Sequence, residues 1–219
     1  MYFEIFVEDQ SGKKMLDILM PKIIGEEHSF KVTAYKGLGR IPRDLGNSRN
    51  VQHRILLQRL PQLLNGCGKT FHGYGNNYKA AVIVVCDLDN KCLKEFRQEL
   101  LEVLNNCHTK PETRFCVAIE EGESWLLGDI DAITTAYPNC KKNLLEEYEN
   151  DSICGTWETM ANALYPGGSQ VLADKGYQIS GKEKATWAEK ISPHINIDSN
   201  KSPSFKYFKS KIDELIAIE

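Results

Sequence analysis

The sequence lacks any apolar run near the ~20 residues that a membrane-spanning helix needs, and its acidic start, Met1-Tyr2-Phe3-Glu4, leads directly into a strand-like run. Neither a transmembrane anchor nor a signal peptide is therefore expected. The chain also lacks a C-x-x-C pair. Its seven cysteines, at 67, 86, 92, 107, 116, 140 and 154, are scattered, and two lie inside apolar strand-like runs. That pattern excludes a disulfide framework or a zinc knuckle and is what reduced thiols in a cytoplasmic protein would give. The five histidines (28, 53, 72, 108, 194) have no ligand-like spacing, and there is no internal repeat or low-complexity tract. With 42% hydrophobic and 26% charged residues over 219 positions, the chain is too apolar to be disordered and long enough to bury a sizeable core.

Acid is missing from one long stretch. Lys31 to Lys79 holds nine basic residues (Lys31, Lys36, Arg40, Arg43, Arg49, Arg54, Arg59, Lys69, Lys79) against Asp44 alone, a local charge of +8. The remaining 18 basic and 29 acidic residues leave the rest at −11. Sign blocks of this kind arise on ordinary solvated helix faces. They are also the electrostatic footprint of a site for a polyanion such as nucleic acid, with arginine favoured because its planar fork suits phosphate.

The elements follow from apolar spacing. Tyr2 to Val7 reads as a buried strand, followed by a helix that Ser11 can cap and Pro21 should stop. Phe30 to Tyr35 is a second strand. The next stretch, with Gly37, Gly39, Pro42 and Gly46, reads as a loop, and Val51 to Leu64 as a helix that Pro61 should kink or restart. Residues 65–79, with four glycines, read as a loop. Ala80 to Cys86 is continuously apolar, as a central parallel strand should be. A helix from about Lys91 to Asn105, a strand from Arg114 to Ile119 and a helix from Ser124 to Ala136 complete the alternation. The fold class predicted is α/β: an open, mostly parallel sheet flanked by helices over residues 1–136, with a helical extension over 137–219 packed on it. Helices are expected there at Leu144–Glu149, Trp157–Leu164, Glu183–Ile191 and Phe205–Ile216.

Three acidic clusters, Glu8-Asp9, Asp87-x-Asp89 and Glu120-Glu121-x-Glu123, each follow a predicted strand. In an open parallel sheet the ligand site lies outside the carboxyl ends of the strands, so the clusters should converge. Gathered carboxylates repel one another unless something positive sits between them, and a divalent cation that prefers oxygen ligands, Mg²⁺ or Mn²⁺, would serve. Acids after strands are also ordinary turn and cap residues, which accounts for one such cluster more easily than for three.

At these residues the chain resembles TOPRIM domains. Phe6-Val7-Glu8-Asp9-Gln10-Ser11-Gly12 is similar to their first motif, a strand ending in a single Glu before a small-residue turn, and Val84-Val85-Cys86-Asp87-Leu88-Asp89 to their second, a strand followed by Asp-x-Asp. The turn reads E-D-Q-S-G where E-G is usual. The wider pattern, with Ile119 to Asp129 and Ser202-Pro203-Ser204-Phe205, is similar to small stand-alone bacterial TOPRIM-like proteins of unknown function and, in style, to OLD-type nucleases. Such genes often neighbour an ABC- or SMC-like ATPase in antiviral defence. The resemblance implies a metal-dependent endonuclease acting on DNA or RNA. Asp87 and Asp89 would hold the ion, Glu8 would complete the coordination or act as general base, and Glu120, Glu121 or Glu123 would hold a second ion. Lys36 or Arg40 would stabilise charge at the scissile phosphate, and Lys36, Arg40, Arg43, Arg49 and Arg54 would bind nucleic acid. The alternative is a catalytically weak interaction module docking to the ATPase. A homo-oligomer is compatible with either.

Other features carry less. Gly66-Cys67-Gly68-Lys69-Thr70 echoes a P-loop but has Leu63 where the pattern needs glycine. Asp87-Leu88-Asp89 echoes the motif of haloacid-dehalogenase-type phosphatases but has Lys91 where Thr or Val belongs. Trp125, Trp157 and Trp187 read as core, and the lysines at 182, 184, 190, 201, 206, 209 and 211 as a solvated face.

Overall fold

The computed structural model describes residues 1–41, 55–75, 77–152 and 155–218. Among them four strands, β1 (Tyr2–Val7), β2 (Ser29–Ala34), β3 (Ala80–Asp87) and β4 (Thr113–Ala118), form one parallel sheet in the order β2-β1-β3-β4. The fold is α/β. Successive side chains of a strand face opposite ways, and β3 shows why its sequence is continuously apolar. Ala81, Ile83 and Val85 enter one core, and Val82, Val84 and Cys86 enter another on the opposite face.

The first core is built on α1 (Gln10–Ile24) and the helices of the second half of the chain. These are α4 (Glu123–Leu127), α5 (Ile130–Ala136), α6 (Lys142–Glu146), α7 (Thr156–Leu164), α8 (Gly168–Asp174), α9 (Tyr177–Ile191) and α10 (Pro203–Ala217). Trp125, Phe205 and Phe208, all fully buried, pack ring against ring there, with Trp125 centroids 5.6 and 4.8 Å from the two phenylalanines. The indole N–H donates to Ser204 Oγ at 2.9 Å, so the buried donor is satisfied. The second core lies under α2 (Leu56–Gly73) and α3 (Leu93–Asn105).

Several local expectations are corrected. The α1 cap is Asp9, whose Oδ1 accepts the Gly12 amide at 2.8 Å, while Ser11 gives its hydroxyl to Asp9. Pro21 does not stop α1, which continues to Ile24 and ends at Gly25 with φ 69°. Pro21 and Asp17 both lie on the exposed side, where the Asp17 carbonyl left without a helical donor is open to water. Pro61 does not break α2 either, and the helix runs on through most of what glycine content marked as a loop. Gly68 has a packing reason: a Cβ there would stand 1.9 Å from the backbone oxygen of Thr109. The single helix expected over 124–136 is two, because Gly128 presses on Asn200 and Asp129 caps α5 by accepting the Ala132 amide at 3.0 Å. The Gly168–Asp174 helix was not anticipated, and α9 starts at Tyr177, six residues before the expected Glu183.

The six described cysteines are free thiols. Among the described residues no helix is long and apolar enough to cross a membrane.

Because the Gly68 contact is with backbone, which cannot swing aside, Gly68→Ala should destabilise the fold by about 1–3 kcal/mol. Gly66→Ala, with nothing within 4 Å of the added methyl, should not. Urea denaturation of the two variants checks the contrast.

Candidate functional site

The strand order reverses direction between β1 and β3: the chain steps from β1 to β2 on one side and then crosses to β3 on the other. A parallel sheet opens a crevice at such a switch point, outside the carboxyl ends of its strands. Glu8 follows β1 and Asp87 ends β3, so the two acids flank it.

They meet there. Glu8 Oε2 accepts the Asp87 amide at 3.3 Å, and the Leu38 amide also donates to the Glu8 carboxylate. Burial pushes the Glu8 carboxyl up to about 7; these two amides oppose the rise, and the charges of Asp89 and Asp9 add to it. Asp87 remains reachable from solvent at the strand end, yet burial, then Glu8, Glu123 and Asp9, raise its carboxyl well above the usual carboxylate range. Gly122, in the turn after β4, passes close by: a Cβ there would lie 3.7 Å from Asp87 Oδ1.

The third cluster divides. Glu123 is buried at the start of α4, and Ser11 Oγ lies 3.4 Å from its Oε1 and 3.0 Å from Asp9 Oδ2, linking the turn after β1 to the turn after β4. Glu121 sits beside Glu123. Glu120 does not join them. Its backbone takes φ 60°, and its carboxylate turns to the first turn of α7, accepting the Gly155 and Thr156 amides at 2.9 and 2.8 Å and the Thr156 hydroxyl. There it satisfies the orphan donors of a helix N-terminus. Asp89, with φ 50°, points to the surface and pairs with Lys91 at 3.1 Å.

The residue that sequence reasoning missed is Lys184. It belongs to no solvated face: α9 delivers its Nζ into the acidic edge, 3.1 Å from Glu121 Oε2 and 3.2 Å from Glu123 Oε2. Burial works to lower its ammonium, but Glu123, Glu121 and Asp87 override that and hold it above its ordinary value. One ammonium cannot neutralise two carboxylates, so burial and Glu123 still push Glu121 up to about 7 against the pull of Lys184. A signal was present in the sequence. Lys184 stands four before Ala188 and seven before Ile191, both buried, which is the spacing of an inward stripe.

Lys36 and Arg40 are exposed on the segment after β2, which is tied to the site where the Gly37 amide donates to the Glu8 carbonyl at 3.1 Å. Arg43, Arg49 and Arg54 lie outside the described residues.

Among the described residues no three His, Cys, Asp or Glu side chains are gathered into a ready metal-binding group. The donors nevertheless suit a hard divalent ion. Glu8 and Asp87 are neighbouring carboxylates, the charge of Glu8 raising Asp87, and among the described residues Lys184 forms its ion pairs with Glu121 and Glu123, acting on Asp87 only from further off. A family model for a domain of unknown function, DUF4276, matches residues 7–213. The chain belongs to this family. The DUF4276 match begins one residue before Glu8 and takes in both Asp87 and Lys184, so sheet edge and C-terminal helices fall within one family unit. No curated protein and no solved structure matches the chain.

The raised Glu8 carboxyl fixes the sign of a pH effect. Between about 4.5 and 7 the folded chain keeps a proton that the unfolded chain has released, so folding stability falls as pH rises through that window. Wild type should lose on the order of 3 kcal/mol relative to Glu8→Gln between those limits in metal-free buffer. Paired denaturant melts at each pH measure the difference, and parallel curves would remove the buried, uncompensated Glu8 from the account.

Proposed function

We propose that the chain is a Mg²⁺- or Mn²⁺-dependent nuclease of the TOPRIM type that hydrolyses phosphodiester bonds in DNA or RNA. The observation that carries the reading is the meeting of Glu8 and Asp87 at the β1/β3 switch point, where the Glu8 carboxylate accepts the Asp87 amide and its charge adds to the rise of the Asp87 carboxyl.

Glu8 and Asp87 are the residues that would hold the ion, with Glu121 and Glu123 behind them; Asp89 would join them only by leaving its ion pair with Lys91. The ion would supply Lewis-acid charge to the phosphoryl oxygens. In hydrolysis a water oxygen attacks phosphorus as the P–O bond to the leaving sugar breaks. Glu8 takes the water proton, and a proton returns to the leaving oxygen. Lys36, exposed two residues before the backbone of Leu38 that touches Glu8, answers the developing charge on the phosphate. Arg40 and the basic stretch around it, Arg43, Arg49 and Arg54 included, draw the polyanion in. In the cell the chain would act as the effector of an antiviral system, its activity governed by an ABC- or SMC-like ATPase encoded nearby.

A second reading, an interaction module docking to that ATPase, is favoured by one feature. Lys184 neutralises part of the acidic edge from within, as a structural ion pair does.

Purified chain, alone and with its neighbouring ATPase, is incubated with plasmid DNA, single-stranded DNA and total tRNA in Mg²⁺ or Mn²⁺. Asp87→Asn with Asp89→Asn should reduce cleavage by roughly 10²-fold or more and weaken Mn²⁺ binding in parallel. Glu8→Gln should cut cleavage by a similar factor, the usual range for loss of a general base being about 10²–10⁴. Cleavage that survives the double substitution overturns the mechanism. Wild type that cleaves nothing even with the ATPase, while still binding it, leaves the docking module.

A further inference from the structure

A groove lies apart from the acidic edge. Among the described residues helix α2 covers β3 and part of β1 but leaves β2 and the outer half of β1 on that side uncovered, and the groove, of about 600 Å³, runs between them and α2. Its floor is the row Tyr2, Glu4 and Phe6 of β1, paired in register with Ser29, Lys31 and Thr33 of β2. The two-residue alternation that sets this row makes Glu8 its next member. The groove itself ends at Phe6 and Tyr35, both buried; beyond them the Gly37 and Leu38 carbonyls accept the Leu56 and Leu57 amides, joining the segment after β2 to the start of α2 between the groove and Glu8.

Its chemistry differs along its length. At the amino edge Tyr2, Phe71, Tyr74 and Tyr78 cluster, the Tyr74 and Tyr78 ring centroids 4.7 Å apart and Tyr2 6.3 and 6.4 Å from Phe71 and Tyr78. Tyr74 is 64% and Tyr78 40% exposed, so these rings offer faces to solvent where a fold alone would bury them. In the middle stand Glu4, which accepts the Tyr2 hydroxyl, and Lys31, its neighbour across the strands. Towards the acidic edge come cations. Arg59 lies one helical turn before the groove residues Gln62 and Leu63 on the same stripe of α2, and Lys36 follows Tyr35 of the groove.

Aromatic rings at one end, a carboxylate able to accept from a base amino group, and lysine and arginine towards the other are the elements by which proteins hold unpaired nucleotides. A duplex has no use for exposed rings, because its bases already stack on one another. We propose that this groove binds single-stranded nucleic acid, its bases stacked on Tyr74 and Tyr78 and its backbone held by Lys31 and Arg59. The proposal rests on the nuclease reading only in naming single strands, or single-stranded segments of a structured RNA, as the substrate class.

The test separates binding from cleavage. In metal-free buffer, fluorescence anisotropy of labelled single-stranded DNA, single-stranded RNA, the corresponding duplex and a nucleoside monophosphate is measured against wild type, Tyr74→Ala with Tyr78→Ala, and Tyr74→Phe with Tyr78→Phe. Single strands should bind wild type more tightly than duplex. The alanine pair should weaken single-strand binding about tenfold or more, as loss of base stacking does, and leave duplex binding unchanged. The phenylalanine pair, which keeps the rings, should retain it. Both tyrosines are exposed, so circular dichroism should show the folds unaltered. Equal affinity for duplex, no loss on the alanine substitutions, or binding of the monophosphate alone would each overturn the proposal. Tyrosine-dependent binding in a chain that never cleaves keeps the groove and removes the nuclease. Cleavage that is indifferent to the alanine substitutions keeps the nuclease and removes the groove.

Discussion

A central parallel strand has hydrogen-bonding neighbours at both sides and, in β3, protein above and below. Nearly everything else follows from covering those two faces. β3 is the extreme case, with Ala81 to Cys86 at most 4% exposed. One face is closed by α2 and α3, which the chain meets as crossovers between strands. The other is closed by α1 and by helices that come after the last strand, so the second half of the chain is the sheet's missing cover, and its apolar residues join Phe3, Ile5 and Val7 in one core. Among the described residues that cover runs out over β2 and the outer half of β1, and a groove remains there.

Closing the sheet so tightly has an electrostatic cost at its carboxyl edge. Strand ends that are buried bring their acids with them, and Glu8, Asp87, Glu121 and Glu123 lose water without gaining equal compensation. The chain answers in three ways. Backbone amides of Asp87 and Leu38 point at Glu8. Lys184 is brought in from α9 to face Glu121 and Glu123. Glu120 is turned out of the crowd to cap α7, at the expense of a left-handed backbone. The crowding that these devices leave is felt at Glu8 and Asp87, whose carboxyls remain raised.

Much of this was legible in the sequence, and the parts that were not share a cause. The strands were readable because β3 is buried on both faces and carries an unbroken apolar run, while β1 and β4 become wholly buried towards their carboxyl ends, which also located Glu8 and Asp87. Helix boundaries failed where a local rule was outweighed by packing. Proline is read as a stop, yet Pro21 stands on an exposed side where its cost is small, and glycine is read as a turn, yet Gly68 is in a helix because Thr109 leaves no room for a side chain. Lys184 was hidden by composition: one lysine among seven looks like a solvated surface until the stripe of Ala188 and Ile191 is drawn through it. Which of the three glutamates after β4 would turn away was beyond the sequence, because it depends on the amino end of α7 arriving 35 residues later in the chain.

Helix α9 is held at its far end by Lys22 of α1, whose Nζ donates to the carbonyls of Ser192, Pro193 and Ile195 at 3.1, 2.6 and 3.1 Å. Its other half carries Lys184. The helix that supplies the acidic edge with its counter-charge is therefore made after all four described strands. Until it is in place α1 covers that face of the sheet without its partners, and Glu121 and Glu123 stand without their cation. This side of the sheet cannot be finished strand by strand as the chain is synthesised.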